Sequence, residues 1–361
     1  MNVAGSSLVT KFHVRFPNGV IDMSHVTRRT FLNTAAAAST LPILSGLPLS
    51  AQAAEFSFKV GHDLPGTHPV HTRLQEAAQR IKAETQGRFD LQVFGNNQLG
   101  GDTDMLGQTR SGALEMCLMP DVILGTLIPL ASINGVGFAF DDDRAAHAAM
   151  DGELGAHIRA RIAKSGLAVM ENIWENGFRQ MTSSTKPIRT PADLQGFKIR
   201  VPVAPLWVSM YKALGAGPTA LNLSELYSAL QTRIVEGQEN PLATIDAAKF
   251  FEVQKYATIS NHVWNGYWML MNPRRWGAVP ADIQAVVRSN LNRSAGDLRE
   301  DVARLNPILE KSLTQKGLSF NRTDPAPFRD VLRKSGHYAE WRKKFGDESW
   351  GILAKYAPHL A

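Results

Sequence analysis

From residue 55 to residue 119 the apolar pattern of the chain keeps changing period, and that alternation restricts the fold more than any other feature. Residues 55–61 alternate apolar and polar side chains, as a half-buried strand does. Residues 70–85 put Leu74, Ala77, Ala78 and Ile81 on one helical face, and Gly87 is placed to close that helix. Residues 89–94 return to the strand period, residues 102–112 read as a helix, and residues 114–119 form an apolar run suited to a buried strand. A β-α-β-α-β order implies a parallel sheet covered by helices. The pattern then returns: residues 167–174, 196–201 and 234–235 read as strands, with helices at 204–214 and 224–231. Two α/β units without a Pro/Ser-rich linker predict two lobes joined by crossing strands. Any ligand then belongs in the crevice outside the strand C-termini. From Pro280 a single apolar face runs through Ile283, Val287, Leu291, Ala295, Leu298 and Val302. A helix of roughly 36 residues, about 50 Å long, exceeds one small lobe and is predicted to lean across both. Pro307 is expected to kink it and Gly317 to end it.

The N-terminal segment has a different character. Arg28-Arg29 is followed by the apolar pair Phe31-Leu32, an Ala-rich stretch and the small-x-small pattern around Ala51 and Ala53. Residues 1–53 are therefore expected to be a twin-arginine-type export signal, with Asn33 in place of the usual Lys. Met23 is a second candidate start, which would leave residues 1–22 untranslated. This segment holds Lys11, Arg15, Arg28 and Arg29 against Asp22, and much of the net charge of +6 comes from it. Setting those aside leaves 35 cationic and 32 anionic side chains, a balance of +3. So even a distribution is no footprint for nucleic acid or an anionic membrane surface. Cys117 is the single cysteine, which rules out an intrachain disulfide and a cysteine metal site. The expected location is the periplasm.

Three segments carry candidate chemistry. In Lys198-Ile199-Arg200-Val201-Pro202 the alternation sends Ile199 and Val201 to the core and Arg200 to the opposite face, and Pro202 stops the strand. Arg200 then stands at a strand C-terminus with a guanidinium fork that matches a carboxylate bidentately. The competing reading is a surface arginine paired with a nearby acid. Arg179 follows a predicted strand and a turn at Gly177, and either reaches the same crevice or makes a hinge salt bridge. Asn240, preceded by Glu239, is held by Pro241 in extended backbone and offers both a donor and an acceptor, unless it is simply a turn residue.

Together these segments resemble the solute-binding subunits of TRAP (tripartite ATP-independent periplasmic) transporters of the DctP type. The likeness rests on residues 187–202 and on residues 223–232 leading into Val235-Glu236-Gly237-Gln238-Glu239-Asn240-Pro241. Gln98-Leu99-Gly100-Gly101-Asp102 adds to it, and the resemblance covers residues 56–320. It implies a two-lobed periplasmic-binding-protein fold, type II-like, with hinge strands and a long helix spanning both lobes. Lobe I would comprise residues 56–177 and 266–304, and lobe II residues 178–265 and 305–355. By position, Arg200 would bind the ligand carboxylate, Arg179 would assist and Asn240 would hydrogen-bond the ligand. The partners implied are a small organic carboxylate and the membrane subunits of the transporter, with the receptor itself a monomer. Arg233 stands at a usual Gly, Glu236 at a usual Asp, and Asp102 where Glu is common, which bears on the first lobe's preference for hydroxyls or cations.

Other candidates carry less. His62, His68 and His71 lie close together, but no carboxylate at ligand spacing accompanies them, so no metal is expected. His62 and His68 are instead candidates to line the cleft. Trp207, Trp264, Tyr267 and Trp268 either wall the pocket or pack in the core. An enzyme would need a nucleophile–base pair or a metal. No Gly-x-Ser-x-Gly, phosphate loop or dinucleotide fingerprint occurs in the sequence, so no catalytic residue and no cofactor is expected. A ligand-sensing subunit of a membrane signalling system is an alternative to transport, and a periplasmic enzyme acting on a carboxylate a more distant one.

Overall fold

The computed structural model describes residues 53–361, and the expected export signal lies outside them. The first unit is β1 (Phe56–Gly61), α1 (Pro69–Glu84), β2 (Phe89–Phe94), α2 (Asp102–Ser111), β3 (Met116–Pro120) and a short α3 (Asp121–Leu124). Next come α4 (Asp143–Asp151), α5 (Glu153–Lys164), β4 (Ala168–Val169) and β5 (Trp174–Ser183). The second unit is β6 (Lys198–Val201), α6 (Pro205–Ala213), β7 (Gly217–Ala220), α7 (Leu223–Gln231), β8 (Gly237–Asn240) and α8 (Leu242–Ala247). β9 (Tyr256–Met271), α9 (Pro273–Gly277), α10 (Ala281–Gln315) and β10 (Ser319–Arg322) follow. The chain closes with α11 (Pro325–Lys334), α12 (His337–Phe345) and α13 (Asp347–Ala354).

The strands run in the order β2-β1-β3-β9-β5-β8-β6-β7. β1 is parallel to β2 and β3, and β6 is parallel to β7 and β8, as two βαβ units require. Between them lie β5 and β9, antiparallel to each other. The C-terminal end of β9 pairs with β3, and the C-terminal end of β5 pairs with β8. The two crossing strands thus join two α/β lobes. Their pairing is broken twice, between Glu175 and Gly177 and between Arg179 and Met181. At the second break Gln180 fills the gap: its Oε1 accepts from the backbone N–H of Ser260 at 2.9 Å and of Asn261 at 3.1 Å.

α10 spans both lobes as a single 35-residue helix with Pro307 inside it. Its residues Ile283, Val287, Leu291 and Leu298 join a core with Val70, Leu74, Ala77 and Ile81 of α1. Its far end puts Leu313 into a separate core with Leu226 and Leu230 of α7. Each such side chain, fully buried, contributes about 1.5–3 kcal/mol. Arg73 of α1 also donates to both carboxylate oxygens of Asp301, at 2.6 and 2.9 Å.

Three expectations change. The strand expected at 234–235 lies instead at β8, and Ile234 is exposed. β8 is polar throughout, yet every residue of it is buried, because its side chains bond one another and Thr182. Gly237 is required there: a Cβ would meet the Thr182 carbonyl oxygen at 2.2 Å. The strand expected over 167–174 is the two-residue β4, with β5 starting where it was to end. Gly177, at φ +91°, is a bulge inside β5 and not a turn after a strand, so Arg179 is a strand residue. Arg233, at the position where the family resemblance expects Gly, has φ +60°, which explains why glycine suits that turn.

Candidate functional site

A small cavity of about 20 Å³ lies where the C-terminal ends of β1, β3 and β6 face the crossing strands β5 and β9. Pro120, Val122, Ile123, Pro202 and Leu223 form its apolar wall. Its polar wall is made by Asp63, Asp102, Asn176, Arg200, Asn265 and Tyr267, with Arg179 and Asn240 at one side.

β6 positions Arg200. Ile199 and Val201 are fully buried in the core, which fixes the register and turns Arg200 to the cavity. The side chain is 2% exposed. Nε and Nη2 both donate to the carbonyl of Leu221, at 3.0 and 2.6 Å. Among the described residues Nη1 has no hydrogen-bond partner and the guanidinium makes no salt bridge. Burial lowers its pKa to about 10, with Glu239 opposing and Arg179 adding to the drop.

Arg179 is the reverse. Its Nε donates to Glu239 Oε2 at 2.5 Å, and its Nη2 donates to the Glu239 carbonyl at 2.6 Å and to Asn240 Oδ1 at 2.9 Å. Nη1 donates to Asn265 Oδ1 at 3.3 Å. Trp207 lies under the guanidinium, 4.7 Å from its carbon, and donates its indole N–H to the Gly135 carbonyl at 2.8 Å. Glu239 also faces His262 Nε2 at 3.2 Å. Burial disfavours the Arg179 charge, yet Glu239 beside it holds the pKa above the usual arginine value.

The acids lie opposite Arg200. Asp63 is the second residue after β1, and Asp102 opens α2 behind Gly101. Asp63 is 6% and Asp102 2% exposed, and among the described residues Oδ1 of each has no hydrogen-bond partner. Burial raises the Asp63 pKa to about 6, against the pull of Arg200 and Arg179. Burial and the neighbouring Asp63 raise Asp102 further, against Arg200.

Five residues singled out from the sequence therefore come together at the cavity: Arg200, Arg179, Asn240, Asp102 and Tyr267. Trp207, Glu239, His62 and His68 do not line it, and Trp264 and Trp268 pack in the core. Trp207 and Glu239 are fully buried behind Arg179. His62 is turned away, with Nε2 2.9 Å from His71 Nδ1 and its ring against Gly95. Successive residues leaving a strand point to opposite sides, so Asp63 takes the cavity side and His62 the other. His68 caps α1 through Nδ1, which accepts from the Val70 N–H at 3.3 Å. Asp63, Asn176 and Asn265 were not anticipated. Asp63 stands at a strand C-terminus, the same signal that marked Arg200. Asn176 sits in the bulge before Gly177, and Asn265 pairs with Gly177 across it, a register the sequence does not show.

The model of the bacterial extracellular solute-binding protein family 7, DctP, matches residues 60–342. The C4-dicarboxylate-binding periplasmic protein DctP of Rhodobacter capsulatus is 32% identical over 314 residues, 85% of this chain and 92% of that protein. The chain spans 53% of the length of another relative, protein y4mM of Sinorhizobium fredii, at 31% identity. The solved structure of the sugar acid binding protein DctPAm of Advenella mimigardefordensis, in complex with galactonate, superposes with a TM-score of 0.80 at 28% identity, covering 86% of this chain and 100% of that one. A TRAP periplasmic solute-binding protein of Sulfurospirillum deleyianum with bound succinate gives a TM-score of 0.78 at 27% identity, covering 84% and 98%. With two lobes, crossing strands and a buried arginine at the cavity between strand ends, the chain belongs to the DctP family of TRAP periplasmic solute-binding proteins, a family of receptors and not of enzymes.

Proposed function

We propose that this protein captures a small organic carboxylate in the cavity at Arg200 and delivers it to the membrane subunits of a TRAP transporter. The observation that carries this reading is a buried guanidinium that makes no salt bridge among the described residues, its Nη1 unengaged, facing the cavity. A buried charge left unpaired is costly, and an incoming carboxylate supplies both the countercharge and the missing acceptor. The cavity, about 20 Å³, holds little more than one water, so the solute is taken up as the two lobes part and close. The relatives named for a C4-dicarboxylate, galactonate and succinate support the carboxylate class.

Arg179 and Asn240 serve as a fixed wall, prearranged by Glu239 and Trp207, while Arg200 and Asp102 meet the ligand directly. Lobe I is assigned to residues 56–177 and 266–304, and lobe II to 178–265 and 305–355. The boundaries fall beside the bulge where Gly177 pairs with Asn265, which supports a hinge there. Export through the twin-arginine-type signal of residues 1–53 would deliver the receptor, as a monomer, to the periplasm.

The test is a thermal-shift panel of dicarboxylates, sugar acids, 2-oxo acids and aromatic acids on the wild type and on Arg200→Ala. A ligand at 100–1,000 times its Kd stabilises by about 3–4 kcal/mol. The wild type should show that shift with at least one acid and Arg200→Ala with none, at unchanged ligand-free stability. An equal shift in both proteins would remove Arg200 from the site.

A further inference from the structure

The polar wall of the cavity is unbalanced. On one side are two guanidinium groups, Arg179 already paired with Glu239 and Arg200 left for the solute. On the other are acceptor oxygens without donors: Oδ1 of Asp63, of Asp102 and of Asn176, all on side chains at most 6% exposed. A buried acceptor left unsatisfied costs about 1–3 kcal/mol, so a bound solute that leaves these oxygens unpaired forfeits affinity. One carboxylate of the solute suffices for Arg200. A second would bring only acceptor atoms to the unpaired Oδ1 atoms of Asp63, Asp102 and Asn176. A hydroxyl brings a donor to each oxygen and also accepts. It can therefore pair with Asp63 or Asp102 whether that carboxyl is ionised or protonated. The amides of Asn240 and Asn265 and the phenol of Tyr267, on the same cavity, are likewise uncharged partners suited to hydroxyls.

Resting on the carboxylate reading of Arg200, we infer that the solute is a hydroxylated monocarboxylate whose hydroxyl groups donate to Asp63, Asp102 and Asn176. The acid wall then acts as a selectivity filter. It rewards hydroxyl donors and penalises the second carboxylate of an unsubstituted dicarboxylate.

Titration calorimetry on the full chain tests this with four-carbon acids matched in length: D-erythronate, butyrate and succinate, with D-galactonate as a longer hydroxy acid and L-glutamate as an ammonium-bearing one. A hydroxy acid should bind at least tenfold more tightly than succinate, butyrate and L-glutamate. Asp63→Asn and Asp102→Asn, near-isosteric changes, should each narrow the gap between hydroxy acid and succinate about tenfold, with thermal unfolding confirming that both variants are folded. Tightest binding of succinate, butyrate or L-glutamate, or an unchanged preference in both folded variants, would overturn the inference. If succinate binds tightest and Arg200→Ala abolishes it, this inference falls and the carboxylate reading stands. If no acid binds in an Arg200-dependent way, the carboxylate reading falls and takes this one with it.

Discussion

Arg179 and Arg200 are buried beside the same cavity, yet they sit in opposite surroundings. Arg179 is saturated: Glu239, Asn240 and Asn265 take its N–H groups, and Trp207 covers its face. Among the described residues Arg200 bonds one backbone carbonyl, that of Leu221, and no carboxylate lies within salt-bridge distance of it. The difference shows which guanidinium is scaffold and which is receptor. A saturated buried ion pair belongs to the fold and gains little from a ligand. An unpaired one destabilises the empty protein slightly and gains much when an anion arrives.

The comparison is sharpest in stability. Arg179→Met strands Glu239 as an uncompensated buried charge and should cost about 3–5 kcal/mol in urea unfolding. Arg200→Met strands no partner and should leave the ligand-free protein as stable as the wild type or more so. Equal losses would erase the distinction. In binding the ranking reverses: Arg200→Met should weaken the carboxylate by about 2–5 kcal/mol, read by calorimetry. Arg200→Lys keeps the charge but loses the fork, and should lose a smaller part of that affinity.

The acid wall offers a gentler probe. The Asp63 pKa is raised from 3.8 to about 6, chiefly by burial. Between those values the folded chain keeps a proton that the unfolded chain has released. The stability of the empty protein therefore falls as pH rises through that window. Asp63→Asn should be more stable than wild type above pH 6 by about 1–3 kcal/mol and lose that advantage below pH 4. Urea titrations of the ligand-free proteins at both ends of the window check the sign. A wild type that gains stability from pH 4 to 7.5 relative to the variant would mean that Asp63 is paired in the empty protein.

Much of this was legible in the sequence. β1, β2, α1 and α10 have a wetter and a drier face, and β6 alternates charged Lys198 and Arg200 with apolar Ile199 and Val201, so their periodicity shows. Arg200 was a candidate from its strand-end position, with a surface ion pair as the competing reading, and Asp102 and the role implied for Asn240 came from the family resemblance. β5 and β9 were illegible because they are buried on both faces and carry bulges, which erases a two-residue period. β8 hid for a related reason: its polar residues are buried against one another, where a local pattern predicts a wet turn. His62 misled because a strand's exit alternates sides, and one residue decides between His62 and Asp63. Trp207 and Glu239 were placed near the right arginine, but their role is to hold Arg179, a contact made across 28 and 60 positions of sequence.

The most direct test of the central claim is calorimetric titration of the best carboxylate of the panel into wild type, Arg200→Met and Arg200→Lys, alongside urea unfolding of the same ligand-free proteins. The expected result is binding lost in Arg200→Met and weakened in Arg200→Lys, with ligand-free stability undiminished. Retained affinity in Arg200→Met, or a loss of ligand-free stability as large as that of Arg179→Met, would contradict the claim that Arg200 is held unpaired for the ligand's carboxylate.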